Sequence, residues 1–293
     1  MIHRVAYKYW VAIILVMALF MEFLDGTIVN VAMPTFARVF EAGATAIGWV
    51  STAYLLAIAV VVLVSGWAGE RFGTKRVFLV ATGVFTLGSA LCASATSLRA
   101  LVAFRALQGM GGGMMTPVGV SMLMRAFPVE ERARASGALM VPTMLAPVMA
   151  PFLGGYLVQY HGWPWIFWIN VPLGAVTWVA AAWLLRESRE ASPGRLDLEG
   201  LAVSTVALGC IFYTLSRLGE GADRPAGVAG AAVVGVVALV TFLVRQWRKT
   251  HPLMDLRVFG DRLFATGAGL QFLLIGGLSG SLFALTLCLQ EGQ

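Results

Sequence analysis

The chain has 293 residues, of which 59% are hydrophobic and only 12% charged, against roughly 25% charged in a soluble domain. That composition excludes a water-soluble globule, and it excludes a disordered chain, which needs low hydrophobicity and many charges. A net charge of +6 would suggest nucleic acid in a soluble protein, but here the placement of the charges decides its meaning.

A hydrocarbon core of roughly 30 Å needs about 20 helical residues at 1.5 Å each. Nine apolar runs qualify as predicted spans: residues 10–34, 47–66, 77–95, 98–122, 136–158, 165–185, 198–215, 228–244 and 263–289. The first follows His3, Arg4 and Lys8 as a signal peptide would. It holds Glu22 and Asp25 and is too long for a usual signal core, so it reads as a retained helix. Every run is apolar on all sides, without the alternation of β-barrel strands. The expected fold class is all-α, a polytopic membrane helical bundle. Cys92, Cys210 and Cys288 lie in apolar runs without Cys-x-x-Cys spacing, so neither a disulfide frame nor a metal site is expected. His3, His161 and His251 read as loop or tail residues, which leaves no histidine relay or zinc site. No cofactor and no nucleophile–base pair is expected, and the chain does not read as an enzyme.

Orientation follows from the basic residues of alternate loops. With the N-terminus in the cytoplasm, the inside segments hold 16 of the 21 Lys and Arg: Arg4 and Lys8; Arg71, Lys75 and Arg76; Arg125, Arg132 and Arg134; Arg186, Arg189 and Arg195; and Arg245, Arg248, Lys249, Arg257 and Arg262. The outside segments hold four, Arg38, Arg99, Arg217 and Arg224, while Arg105 lies inside a span. The basic balance is therefore a topology signal, and no nucleic-acid partner is expected. Trp10, Trp49, Trp67, Trp163, Trp165 and Trp183 fall near span ends, where amphipathic rings prefer to lie.

Six spans with short loops form an expected N-terminal bundle over residues 1–186. Residues 187–262 read as a connector with two additional spans, opening on the charged, flexible segment RESREASPGRLDLEG. Residues 263–293 hold one further span, and the chain stops four residues after it.

Three fixed charges lie within spans: Glu22, Asp25 and Arg105. Ionised groups at the bilayer centre cost at least about 2.5–3.5 kcal/mol and face the bundle interior or a water-filled cavity. Glu22 and Asp25, three apart, share a helix face, and two carboxylates this close resist ionising together, which suits a proton-coupled machine. The alternative is an ion pair with Arg105, or hydrogen bonds, that only hold helices together. Spans four and five are dense in Gly and Pro, through RALQGMGGGMMTP and MVPTMLAPVMAPFLGG. Close packing and a hinge or seal between rocking helices both fit. Met110, Met114, Met115, Met140, Met144 and Met149 would suit an adaptable apolar pocket or simply fill a core. GWAGERFGTKRV places Glu70, Arg71, Gly73, Lys75 and Arg76 at a tight turn, which alone could be a positive-inside anchor.

Four ordered motifs give the chain a resemblance to the major facilitator superfamily, in its drug:proton antiporter branch of fourteen spans. FMEFLDGTIVNVAMP (20–34) resembles the span-one signature of that branch, which includes Asp25 and Asn30. GWAGERFGTKR (66–76) resembles the loop motif that helps control the inward gate. LVAFRALQGMGGG (101–113) resembles the span-four motif whose arginine is implicated in proton transfer. APVMAPFLGG (146–155) resembles the span-five antiporter motif. WPWIFWINVPLG and the grouping of six spans then two are also similar to this branch. Glu70 stands where the family has Asp, Ala68 for Leu and Thr74 for a basic residue. Ala146 and Ala150 replace motif glycines, which implies a looser seal or a smaller packing partner.

The resemblance implies a secondary transporter that exports drugs or other amphiphilic or cationic small molecules in exchange for protons. Asp25 would be the coupling carboxylate and Glu22 an auxiliary acid; Arg105 would tune them, with Gln108 and Asn30 beside the path. Gly66, Glu70, Arg71, Gly73, Lys75 and Arg76 would form the gate, and Pro147, Pro151, Gly154 and Gly155 the antiporter helix. The implied setting is the cell inner membrane, with lipid, substrate and protons as partners and a periplasmic adaptor protein if the cell is Gram-negative. A second six-helix half is expected beyond Gln293. Until it is found, a truncated, transport-inactive product or regulatory half stays open, as does a small-metabolite transporter of the same superfamily.

Overall fold

The computed structural model describes residues 2–189, 194, 196–219, 225–249 and 252–291. The centre of the expected connector with Arg195, the outer-loop segment with Arg224, His251 and Gln293 lie outside the described residues. The elements are α1 (Ile2–Val39), α2 (Ala44–Phe72), α3 (Thr74–Ala93), α4 (Leu98–Ala126), α5 (Val129–Tyr160), α6 (Trp165–Trp168), α7 (Asn170–Leu184), α8 (Leu198–Gly219), α9 (Pro225–Arg248), a 3-10 turn (Leu256–Gly260) and α10 (Arg262–Glu291). All regular structure among the described residues is helical. His3 lies within α1 rather than in a tail, and His161 caps the end of α5.

Among the described residues, seven spans are long and apolar enough to cross a membrane, formed by α1, α2, α3, α5, α6 with α7, α8 and α9. The chain is a multi-pass membrane protein. Of the nine expected spans, those matching α4 and α10 are not among the seven. Five glycines, Arg105 and Gln108 dilute the apolar character of α4, yet it is deeply enclosed, with Leu101, Arg105, Gln108, Met115 and Leu123 all buried. Among the described residues, α10 packs chiefly against the 3-10 turn.

Without water to drive helices together inside a bilayer, close backbone approach supplies the packing. α4 runs between α2 and α3 and also meets α1, while α1 pairs with α5 and α7 with α3. A methyl on Gly111 would fall 2.6 Å from the Ala81 carbonyl, on Gly113 2.9 Å from Ile58 Cα, and on Gly88 2.7 Å from Gln108 Cα. These glycines let three helices meet backbone to backbone. One apolar cluster holds Leu15, Phe78, Phe85, Met115 and Leu123; the other holds Ile28, Phe36, Val50, Leu101, Ala150 and Phe167. Of the methionines, Met115 is fully buried, whereas Met110, Met140 and Met144 are exposed.

One end of the bundle gathers the polar segments. Lys8 pairs with Glu131, Arg125 Nη1 donates to Ser188 Oγ at 2.8 Å, and Trp67 Nε1 donates to the Gly194 carbonyl at 2.8 Å. The segments that the charge count assigned to one side of the membrane therefore share one end of the fold. The opposite end holds an aromatic cluster, with the Phe36 and Trp163 rings 5.4 Å apart.

Candidate functional site

Asp25 sits at mid-length on α1, between the two apolar clusters. Arg105 and Gln108, three apart on α4, present one face to it. Arg105 Nη1 donates to Asp25 Oδ2 at 2.6 Å and to Gln108 Oε1 at 2.8 Å. Gln108 Nε2 donates to Asp25 Oδ1 at 2.9 Å. The guanidinium also donates through Nε to the Val50 carbonyl at 3.3 Å and lies 3.9 Å from the Tyr54 ring centroid. Asp25, Arg105 and Gln108 are each 0% exposed. Removing one partner of such a buried pair leaves an uncompensated charge, at about 3–5 kcal/mol.

Two further members escaped the sequence reading. Asn170 Nδ2 donates to Asp25 Oδ1 at 2.8 Å and to Ser89 Oγ at 3.1 Å; Ser89 in turn donates to the Phe167 carbonyl at 2.9 Å. The sixth span passes from α6 to α7 with helical backbone at Ile169 (φ −59°, ψ −29°). Pro172 has no N–H to give to the Trp168 carbonyl four residues back, so one backbone bond is missing beside Asn170, the first residue of α7. The available signal was a lone amide in a charge-free run, two residues before a proline. Around the cluster, Tyr54 Oη, Arg105 Nη2, Asn170 Oδ1 and Ser51 Oγ are buried with no hydrogen-bond partner among the described residues.

Glu22 does not join this network. It is half-buried and accepts a hydrogen bond from Thr116 Oγ1 at 2.6 Å, with no ion pair among the described residues. It lies beside Tyr54, since a methyl on Gly112 would stand 3.7 Å from Glu22 Cγ and 3.3 Å from Tyr54 Oη. Asn30 is exposed and apart from the cluster. Five residues turn a helix by about 140° beyond one full revolution, so Asn30 cannot share the face of Asp25.

At the polar end, Gly73 joins α2 to α3 with φ +97°. The Glu187 carboxylate, just past α7, accepts from Lys75 N at 3.0 Å and Arg76 N at 3.3 Å, capping α3 from a distant segment. Lys75 Nζ donates to the Ala182 carbonyl at 2.6 Å. The turn is thus bound to α7 through Lys75 and to Glu187 beyond it through Lys75 and Arg76, with Gly73 close against that carboxylate, while Gly66, Glu70 and Arg71 are exposed. Gly66 and Glu70 border a small cavity of about 80 Å³ with Gly69, Thr74, Ser121 and Arg125.

α5 continues as one helix through Pro142, Pro147 and Pro151. Ala146 and Ala150 are both 0% exposed, and a methyl on Gly154 would meet Ile28 Cγ1 at 2.9 Å. The two alanine methyls therefore fill the α1–α5 contact. Pro147 is half-buried, Pro151 is exposed, and nothing lies within 4 Å of a methyl on Gly155.

A second polar cluster joins α8 to α9. Asp197 accepts from Gly200 N at 2.8 Å, Gln246 Nε2 at 2.9 Å and Lys249 Nζ at 2.7 Å. Burial opposes its ionisation, but the bonds from Lys249, Gly200 and Gln246 outweigh it and hold the carboxyl below its usual value.

A family profile described as Major Facilitator Superfamily matches residues 15–289. The chain is 37% identical over 280 residues to a "Multidrug resistance protein B homolog" of Mycobacterium tuberculosis, covering 94% of this chain and 52% of that protein. The chain spans about half the length of the curated relatives it matches. Among solved structures, the POT family transporter PepTSo shares the fold with a TM-score of 0.60 and 16% identity, over 84% of this chain and 55% of that one. A bacterial homologue of the human lysosomal transporter Spinster, in an inward-facing and unoccupied conformation, gives a TM-score of 0.51 and 20% identity over 81% and 61%. With a profile match over nearly its whole length, the chain belongs to the Major Facilitator Superfamily.

Proposed function

We propose that the complete gene product carrying this chain is a secondary transporter of the cell inner membrane. It exports drugs or other amphiphilic or cationic small molecules in exchange for inward-moving protons. The observation that carries this reading is the fully buried Asp25–Arg105 pair at mid-bundle, because intramembrane ionisable groups mark ion and substrate pathways. The 37% identity to a protein named for multidrug resistance supports the substrate class. One charge crossing 100 mV supplies about 2.3 kcal/mol, a useful gradient with no nucleotide.

Asp25 is the coupling carboxylate. Ionised, it neutralises Arg105; protonated, it no longer holds the guanidinium, and the α1–α4 contact is free to adjust as one half rocks against the other. Glu22, half-buried and outside the pair, acts as auxiliary acid or cation contact. Arg105 and Gln108 position the proton. The α2–α3 turn, with Glu70, Arg71 and Gly73, is the inward gate, and the helix carrying Pro147, Pro151, Gly154 and Gly155 is the antiporter seal. The N-terminus lies in the cytoplasm, on the side of the 16 basic residues. In a Gram-negative cell, a periplasmic adaptor protein would extend the export path.

Asp25→Asn in the complete gene product tests the assignment. Proton-dependent dye efflux from inverted vesicles should be abolished, with membrane insertion intact. Unchanged efflux refutes it.

A further inference from the structure

Asn170 sits where two hydrogen-bond acceptors converge. Asp25 as a carboxylate can only accept, and the Ser89 hydroxyl hydrogen is given to the Phe167 carbonyl, so Ser89 Oγ accepts as well. Those two neighbours force the amide to turn its NH2 group towards them, at 2.8 Å and 3.1 Å. Its Oδ1 is then left buried without a partner. Arg105 and Gln108, which also face Asp25, both donate to it, so the idle Asn170 Oδ1 is the acceptor at hand for an O–H that Asp25 would gain on protonation.

We infer that Asn170 is a positioning residue that reads the protonation state of Asp25 by turning its amide, and passes that state to the junction between α6 and α7. This rests on the assignment of Asp25 as the proton-binding carboxylate. When Asp25 takes a proton from water, the carboxylate becomes a carboxylic acid and gains an O–H donor. Rotating the amide by half a turn about χ2 exchanges Nδ2 and Oδ1. Oδ1 then stands where Nδ2 stood, and accepts the new O–H. The same exchange sets Oδ1 against Ser89 Oγ, so Ser89 must swing its hydroxyl hydrogen away from the Phe167 carbonyl and onto Asn170. The Phe167 carbonyl, one residue before the Trp168 carbonyl that Pro172 leaves without an N–H, loses its side-chain donor. Each orientation leaves the far end of the amide unpartnered, so the choice between them is set by what Asp25 and Ser89 offer.

The test uses infrared difference spectra between acid and alkaline buffer, on the complete gene product in liposomes. The protein carries side-chain-13C asparagine, which marks Asn30 and Asn170 as the two asparagines of this chain. The expected result is a carboxylic band that appears on acidification and is lost in Asp25→Asn. With it should come a shift of the labelled amide band, lost in Asn170→Ser and in Asp25→Asn but kept in Asn30→Ser. If the Asp25 band appears while the labelled amide band stays still, Asn170 is a static brace; the inference fails and the coupling assignment stands. If no band is lost in Asp25→Asn, the coupling assignment itself fails and takes this inference with it. The unmutated, labelled protein decides whether the amide band moves at all, even if Asn170→Ser does not fold.

Discussion

Replacing Gly73 by alanine should be costly, and the structure divides the cost into two parts. Backbone with φ +97° and ψ 138° is essentially glycine territory, and an L side chain held there costs on the order of 1–3 kcal/mol. The second part is steric: the new methyl would stand 2.5 Å from Glu187 Cδ. It would expel the carboxylate from Lys75 N and Arg76 N, and losing a helix N-cap costs about 0.5–2 kcal/mol. The Arg76–Glu187 ion pair, 3.7 Å long and exposed, adds little to either part. Gly73→Ala should therefore cost about 2–4 kcal/mol and Glu187→Ala alone about 0.5–2. The two must not add, because in the Glu187→Ala background only the backbone part is left. Denaturant unfolding of the purified protein in mixed micelles, run as a double-mutant cycle, measures the difference. If Gly73→Ala costs the same in both backgrounds, Glu187 does not lean on Gly73. If it costs less than about 0.5 kcal/mol anywhere, the left-handed turn itself is wrong.

Two more predictions follow from packing and charge. Gly111→Val should push α3 from α4, because even its first carbon would meet the Ala81 carbonyl at 2.6 Å, and lower the thermal midpoint far more than Gly155→Ala, which meets nothing within 4 Å; equal midpoints would refute the close approach. Asp197, held below its usual value by Lys249, Gly200 and Gln246, contributes stability above the ordinary carboxylate range and loses it as pH falls through the lowered value. Asp197→Asn should thus melt below the parent at neutral pH, with the gap closing in acid; a gap that persists in acid would sink the argument.

Much of the helix order was legible because apolar run length is a one-dimensional signal, and the intramembrane charges stood out for the same reason. Asp25 and Arg105 were visible as expensive residues in cheap surroundings. Gln108 came only with the span-four motif, and two further mates did not show. Asn170 and Ser89 are uncharged and isolated in apolar runs, and their value comes from how α7 and α3 pack against α1, which periodicity does not report. Glu187 looked like one more solvated charge in a basic connector, because its role depends on where the start of α3 ends up. Asn30 came with the motif alone, and helical geometry, five residues from Asp25, sets it on another face of α1, outside the buried cluster.

α4 explains why hydropathy undervalued the helix at the centre of the site. Gly109 and Gly113, four apart, lie along one face, where added methyls would meet Ala57 Cβ at 3.0 Å and Ile58 Cα at 2.9 Å on α2. Gly111, turned about 200° from Gly109, meets Ala81 and Phe85 on α3. Arg105 and Gln108 point a third way, to Asp25 on α1. A helix with backbone-close neighbours on two faces and a buried charge on the third has little surface to present to lipid. It does not need the apolar side chains that mark a lipid-facing span. Low hydropathy flanked by glycines on opposed faces is therefore the signature of a helix enclosed by its own bundle, and in this chain it marks the helix that supplies two of the three side-chain partners of the buried aspartate.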